Sequence, residues 1–174
     1  MTRPHRRTLA TLVAFTLAAA CVPPAGDAAN PLFEAKFKDF NRTYQPLVQW
    51  RGRPLAVYFW ATWCESCRRE VPELVAAYDS HRDVELQIVG IAIDQTDKVE
   101  AFVKETGIPY PMLVGGNDAL QLSRRLGNGV GGLPYMVIVN RDGRVVGTHI
   151  GELTPGKLTE LLAPVSRPGQ TPGA

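Results

Sequence analysis

Two kinds of apolar pattern alternate along this chain. Leu55 to Trp60 is an unbroken apolar run rich in aromatic and branched residues, bounded by Gly52 and Pro54. Such a run reads as a buried strand. From Glu65 to Ser80 the spacing becomes helical, with Val71, Leu74, Val75 and Tyr78 returning to one face. Pro72 lies inside that helix, where its ring meets the carbonyl of Arg68 and should kink the axis. Leu86 to Ile93 is again nearly continuous and suits a strand covered on both faces. Strand, helix and strand in this order make a right-handed parallel unit.

The rest of the chain alternates similarly. Thr96 to Thr106 reads as a helix with Val99, Phe102 and Val103 inward and Gly107 as its stop. Pro111 to Val114 forms a short strand, Gly115-Gly116 a turn, and Asp118 to Leu126 a helix ending at Gly127. Tyr135 to Asn140 and Arg144 to Ile150 flank Asp142-Gly143, a hairpin signal, so these strands pair antiparallel. A last helix starts near Thr154, carries Pro155 in its first turn and stops before Pro164. Parallel strands followed by a hairpin predict an α/β protein, a three-layer α/β/α sandwich with a mixed central sheet.

The two ends differ from this core. Arg3, Arg6 and Arg7 precede an apolar stretch from Leu9 to Ala20, which reads as an export signal over residues 1–20. Its twelve positions fall short of the roughly 20 that a membrane-spanning helix needs. Cys21 follows Leu17-Ala18-Ala19-Ala20, resembling a lipoprotein box with Ala18 where Leu is usual. The expectation is therefore an exported, periplasmic protein, either lipid-anchored through Cys21 or cleaved near it and soluble. Residues 21–31 read as a linker, 32–163 as the single domain, and 164–174, with three prolines and two glycines, as a disordered tail.

Charge narrows the function classes. The formal charge is +2, but without the first twenty residues 16 basic residues face 17 acidic ones. Nothing electrostatic favours nucleic acid as a partner. Of three cysteines, Cys64 and Cys67 are too close to staple a large loop, which excludes a framework of structural disulfides.

Those two cysteines carry the chemistry. In Phe59-Trp60-Ala61-Thr62-Trp63-Cys64-Glu65-Ser66-Cys67 a buried strand runs out and a helix begins. A free thiol, with a pKa near 8.5, is mostly protonated at neutral pH, whereas the amides and dipole of a helix's first turn favour the thiolate. Cys64 is placed as the nucleophile. Cys67, one turn further in, is placed to resolve the mixed disulfide. A zinc site would need about four ligands, yet no second Cys-x-x-Cys exists, and the histidines beyond the signal, His81 and His149, form no ligand pattern with the pair. No metal and no cofactor is called for.

The segment from Phe59 to Cys64, with Glu70, Pro72, Gly90 to Asp94, Gly132-Leu133-Pro134 and Asp142-Gly143, resembles the TlpA/ResA-like branch of exported thioredoxin-fold thiol–disulfide oxidoreductases. The resemblance covers roughly residues 47–162. It implies reduction of protein disulfides, for example the haem-binding cysteines of apocytochrome c, with electrons from a membrane thiol donor of the DsbD kind. It implies a cis bond before Pro134, which with Leu133 shapes the peptide-binding groove, and a proton-handling role for Glu70. The plainer reading of Glu70 is a solvated glutamate paired with Arg68 or Arg69. Trp63 is expected to shield the disulfide and meet partners, Trp60 to sit in the core, and Asp94 to cap the next helix.

Two positions depart from the family pattern. Thioredoxin's buried acid is replaced by Tyr58, and the residue after Pro134 is the large Tyr135, expected to narrow the groove. Glu65, between the cysteines, should repel a forming thiolate and tilt the pair towards reduction of partners. Competing readings are a peroxide reductase, whose Pro-x-x-x-Thr/Ser-x-x-Cys frame is missing around Cys64, a copper-binding or copper-delivery protein using Cys64, Cys67 and His149, and a scaffold with idle cysteines.

Overall fold

The computed structural model describes residues 30–166. The expected signal segment, Cys21 and residues 167–174 lie outside them. Seven strands form one sheet in the order β2-β1-β5-β4-β3-β6-β7: β1 Lys36–Lys38, β2 Tyr44–Pro46, β3 Leu55–Trp60, β4 Gln87–Ala92, β5 Met112–Val114, β6 Tyr135–Val139 and β7 Val145–Ile150. β3, β4 and β5 run parallel, while β6 pairs antiparallel with β3 and β7 with β6. The helices are α1 Glu65–Arg69, α2 Val71–Ser80, α3 Thr96–Thr106, α4 Gly116–Arg125 and α5 Pro155–Leu162.

All six residues of β3 are buried because it is central and covered on both faces. Ala56, Tyr58 and Trp60 enter a core with α1, α2, α3 and α5. Leu55, Val57 and Phe59 enter a second core with α4 and the N-terminal segment. Strand parity thus divides one apolar run between two cores. Trp60 is fully buried on the first side, and Gly90 makes room there: a side chain at 90 would strike Met112 Sδ.

Pro72 does more than kink the predicted helix. The helix breaks at Glu70, and Pro72 stands in the first turn of α2, where its missing N–H leaves nothing unpaired. α3 has the predicted bounds, and Gly107 ends it at φ +66°, the left-handed conformation glycine adopts readily. Val99 is buried, whereas Phe102 and Val103 are half-buried. Gly116 belongs to α4 rather than to a turn.

The fold extends past both expected boundaries of the domain. Asn30 Oδ1 accepts from Leu32 N at 3.1 Å and its side-chain amide donates to Gly143 O at 2.9 Å, so residues 30 and 31 belong to the fold rather than to a linker. Short 3-10 turns at Pro31–Glu34 and Leu47–Trp50 flank the β1–β2 hairpin, an edge no sequence pattern announced. At the other end Val165 is only 6% exposed and packs into the first core, so residues 164–166 belong to the fold.

Candidate active site

The site lies where β3 leaves the sheet. Thr62 N donates to Asp94 Oδ2 at 2.9 Å, and Thr62 Oγ1 donates to the same oxygen. Asp94 follows the neighbouring parallel strand, so a carboxylate at the end of β4 pins the loop leaving β3. It makes no side-chain cap for α3, whose N-cap is Gln95, and this corrects its expected role. Burial raises the Asp94 pKa, but hydrogen bonds from Thr62 and Gln95 outweigh that and hold the carboxyl below its ordinary value.

Cys64 is the N-cap of α1 and is joined to Cys67 by a disulfide with S–S 2.06 Å. Cys67 N donates to Cys64 Sγ at 3.2 Å, an amide at the helix start directed at the outer sulfur. Cys64 is 7% exposed and Cys67 0%, so both are buried and, of the two residues, Cys64 is the one that still touches solvent. Trp63, immediately before it, is 68% exposed.

The Leu133–Pro134 peptide bond is cis. Phe59 pairs with Tyr135, which puts Pro134 level with Trp60 at the end of the sheet from which the cysteine loop departs. Asn128 holds the approach to this bond. Its side chain donates to Gly132 O at 2.9 Å and to Ser123 Oγ, and accepts from Gly132 N at 3.1 Å. Asn128 is 1% exposed and was missed in the sequence. Its place between Gly127 and Gly129 signals a turn, but not which loop it ties down. Beside that loop stand two exposed apolar residues, Val130 and Ile150.

Tyr135 does not narrow this end of the sheet. Its ring enters the second core, against Phe59, and its hydroxyl donates to Leu126 O at 2.7 Å. Strand parity sends Pro134's successor to the opposite face.

Glu70 is 2% exposed, contrary to the reading of a solvated, arginine-paired glutamate. Tyr58 Oη donates to its Oε2 at 2.8 Å and Leu153 N donates to its Oε1. Burial pushes its pKa up, opposed by these two donors and by Arg69 and reinforced by the charge of Glu152. Burial and the adjacent Glu70 charge push the Tyr58 phenol up as well, which keeps its proton in place as a donor. Arg69 pairs with Glu65 at 2.8 Å and with Glu152 at 2.9 Å, and Arg68 lies over the Phe102 ring. Arg69 stands between Glu65 and Glu152 on the surface, so its charge offsets part of the repulsion expected between the Glu65 carboxylate and a thiolate. His149 bonds at 3.2 Å to Glu152 O, and no group of three His, Cys, Asp or Glu among the described residues is arranged to hold a metal.

Comparison with known proteins agrees with this geometry. The AhpC/TSA family model matches residues 26–148. Thiol-disulfide oxidoreductase ResA of Bacillus anthracis is 30% identical over 118 residues, 67% of this chain and 65% of the relative, so this chain spans less than two thirds of that relative's length. ResA of Bacillus subtilis (strain 168) is 26% identical over 87% of this chain and 80% of its own. A thioredoxin-related protein from Neisseria meningitidis serogroup B superposes with TM-score 0.65 at 30% identity, covering 74% of this chain and 97% of the other. A secreted thiol-disulfide isomerase from Corynebacterium glutamicum shares the fold, with TM-score 0.68 at 18% identity over 78% and 84% of the two chains. A thioredoxin fold with a disulfide at the β3–α1 junction, matched over most of its length by one family model, places this chain in the AhpC/TSA family, among its ResA-like thioredoxin-fold members.

Proposed function

We propose that this chain is an exported thiol–disulfide oxidoreductase that reduces disulfides in partner proteins of the cell envelope. The observation that carries the reading is the Cys64–Cys67 disulfide at the head of α1, with Cys64 the less buried residue of the pair. In the reduced protein the Cys64 thiolate attacks a partner disulfide, forming a mixed disulfide and releasing one partner thiolate. Cys67 then gives up its proton and attacks Cys64 Sγ. The intramolecular disulfide forms and the second partner thiolate leaves, so the partner gains two electrons.

Glu70, three residues from Cys67 and screened from solvent, receives the Cys67 proton in this scheme. The exposed indole of Trp63 and the Leu133–Pro134 bond form the face on which the partner's strand lies. The relatives named ResA support protein disulfides as the substrate class. Apocytochrome c is the partner proposed within that class, and a membrane thiol donor of the DsbD kind returns electrons to the oxidised pair. Location in the periplasm, with or without a lipid at Cys21, follows from the export signal read in residues 1–20.

Reduced Cys67→Ser protein mixed with an oxidised envelope extract should collect mixed disulfides through Cys64 that a reductant releases, and Cys64→Ser should collect none. Absence of any adduct on Cys67→Ser overturns the reading. The reducing direction is tested separately by the reduction potential in a glutathione buffer. A value near that of DsbA, about −120 mV, overturns that direction.

A further inference from the structure

The buried contact between β3 and the α1–α2 break has a stoichiometry that sets what it can do. The Tyr58 hydroxyl carries one hydrogen, yet two acceptors lie within reach: Glu70 Oε2 at 2.8 Å and the Cys67 carbonyl at 3.2 Å. Tyr58 is fully buried, Glu70 nearly so and Cys67 fully, so water does not supply a missing donor at will. When Glu70 is ionised, the hydrogen points to the carboxylate. When Glu70 is protonated, its own O–H donates to Tyr58 Oη, and the tyrosine hydrogen turns to Cys67 O. Tyr58 and Glu70 stay paired in both states, while the Cys67 carbonyl receives the tyrosine hydrogen only when Glu70 is protonated.

From this geometry we infer that Tyr58 is a positioning residue, whose hydroxyl turns between Glu70 and the Cys67 carbonyl so that Glu70 can take up and release a proton inside the protein. The inference rests on the thiol–disulfide reading for its purpose, since the proton concerned is the one Cys67 yields. The exchange balances: the Cys67 thiol loses a proton, the Glu70 carboxylate gains it, and Tyr58 keeps its own and only reorients. No electrons move. The turn also reaches the backbone of the resolving cysteine. Protonated Glu70 hands a hydrogen bond to the Cys67 carbonyl, and ionised Glu70 withdraws it.

The surroundings allow Tyr58 this influence. Glu70's other partner, Leu153 N, donates to Oε1 in either state. The charged side chains acting on Glu70 are Arg69 of α1 and Glu152 of the loop after β7, and Arg69 is shared with exposed Glu65. Tyr110, before β5, is buried and acts on Tyr58. Of the donors to the carboxylate, Tyr58 is the one supplied by a side chain.

The test is Tyr58→Phe, which keeps the ring in its core and removes the hydroxyl. In the oxidised protein the Glu70 carboxyl is titrated by carbon NMR, which needs no activity. Loss of a donor to the charged form should make Glu70 bind its proton roughly tenfold more tightly. In the reduced protein the pH profile of insulin reduction should move towards higher pH by a comparable factor. In a Glu70→Gln background, where nothing titrates at this position, Tyr58→Phe should leave the shape of that profile unchanged. An unmoved Glu70 titration overturns the inference, and so does the same shift of profile in the Glu70→Gln background. A shifted titration in a protein that reduces no disulfide would sustain the role of Tyr58 and sink the proposed function.

Discussion

A carboxyl group removed from water binds its proton more tightly than it does in the unfolded chain, and Glu70 is such a group. Its folded pKa lies above the ordinary value of 4.5, so between that value and the raised one the folded state holds more protons than the unfolded state. Linkage then fixes the sign: the contribution of Glu70 to stability is complete below 4.5 and is lost as pH rises through the folded value. Urea unfolding of the oxidised protein should show the stability of wild type relative to Glu70→Gln falling as pH climbs from 4.5. A difference that grows with pH would contradict the burial. The cysteine pair was legible at this scale, because its spacing and flanking strand are local features. Glu70's burial was not, because the amide that holds it comes from Leu153, 83 residues later. Asp94 misled for a related reason. An aspartate between a strand and a helix looks like a cap, and only the parallel pairing of β3 with β4 brings Thr62 to it.

Elements were legible in proportion to their length. α3 has about three turns and a glycine stop, and both of its ends fall where the pattern puts them. β1 and β2 have three residues each and bury Phe37 alone as a large apolar side chain, which leaves no period to detect. The helix break at Glu70 was half-legible: proline marks a discontinuity, but whether the axis bends or divides depends on what lies against it. Here the division releases Glu70 from a regular helix face and turns it inward between Tyr58 and Leu153. Gly107 offers a clean test of element termination. Nothing lies within 4 Å of a side chain placed there, so Gly107→Ala meets only the cost of a left-handed backbone. The loss should be about 1 kcal/mol in urea unfolding. A neutral result would mean that the end of α3 is fixed by something other than this conformation.

The molecule as a whole is assembled from distant stretches that meet at one end of the sheet. Thr62 is held by Asp94, Glu70 by Leu153, and the loop before Pro134 by Asn128 and Ser123. The overall class, a mixed sheet between helices, was readable from the order of elements, while these cross-links depend on which strands become neighbours. The C-terminal limit was misread because prolines and glycines after Leu162 dominate the composition, although Val165 reaches the core. Val165→Ala should lower stability by about 1–2 kcal/mol. An effect indistinguishable from zero would return Pro164 to Ser166 to the tail.

The covalent link at the tip of α1 joins residues only three apart. In the chain-entropy view, closing so small a ring restrains the unfolded chain by about 2 kcal/mol, against about 4.7 kcal/mol for a hundred-residue loop. Opening it therefore takes away a minor share of the 5–15 kcal/mol typical of a domain. The reduced and oxidised forms should melt within several degrees of each other in calorimetry. A protein arranged in this way can pass between its two covalent states with little rebuilding, whereas one braced by long-range bridges would give up a far larger share of its stability in the same cycle.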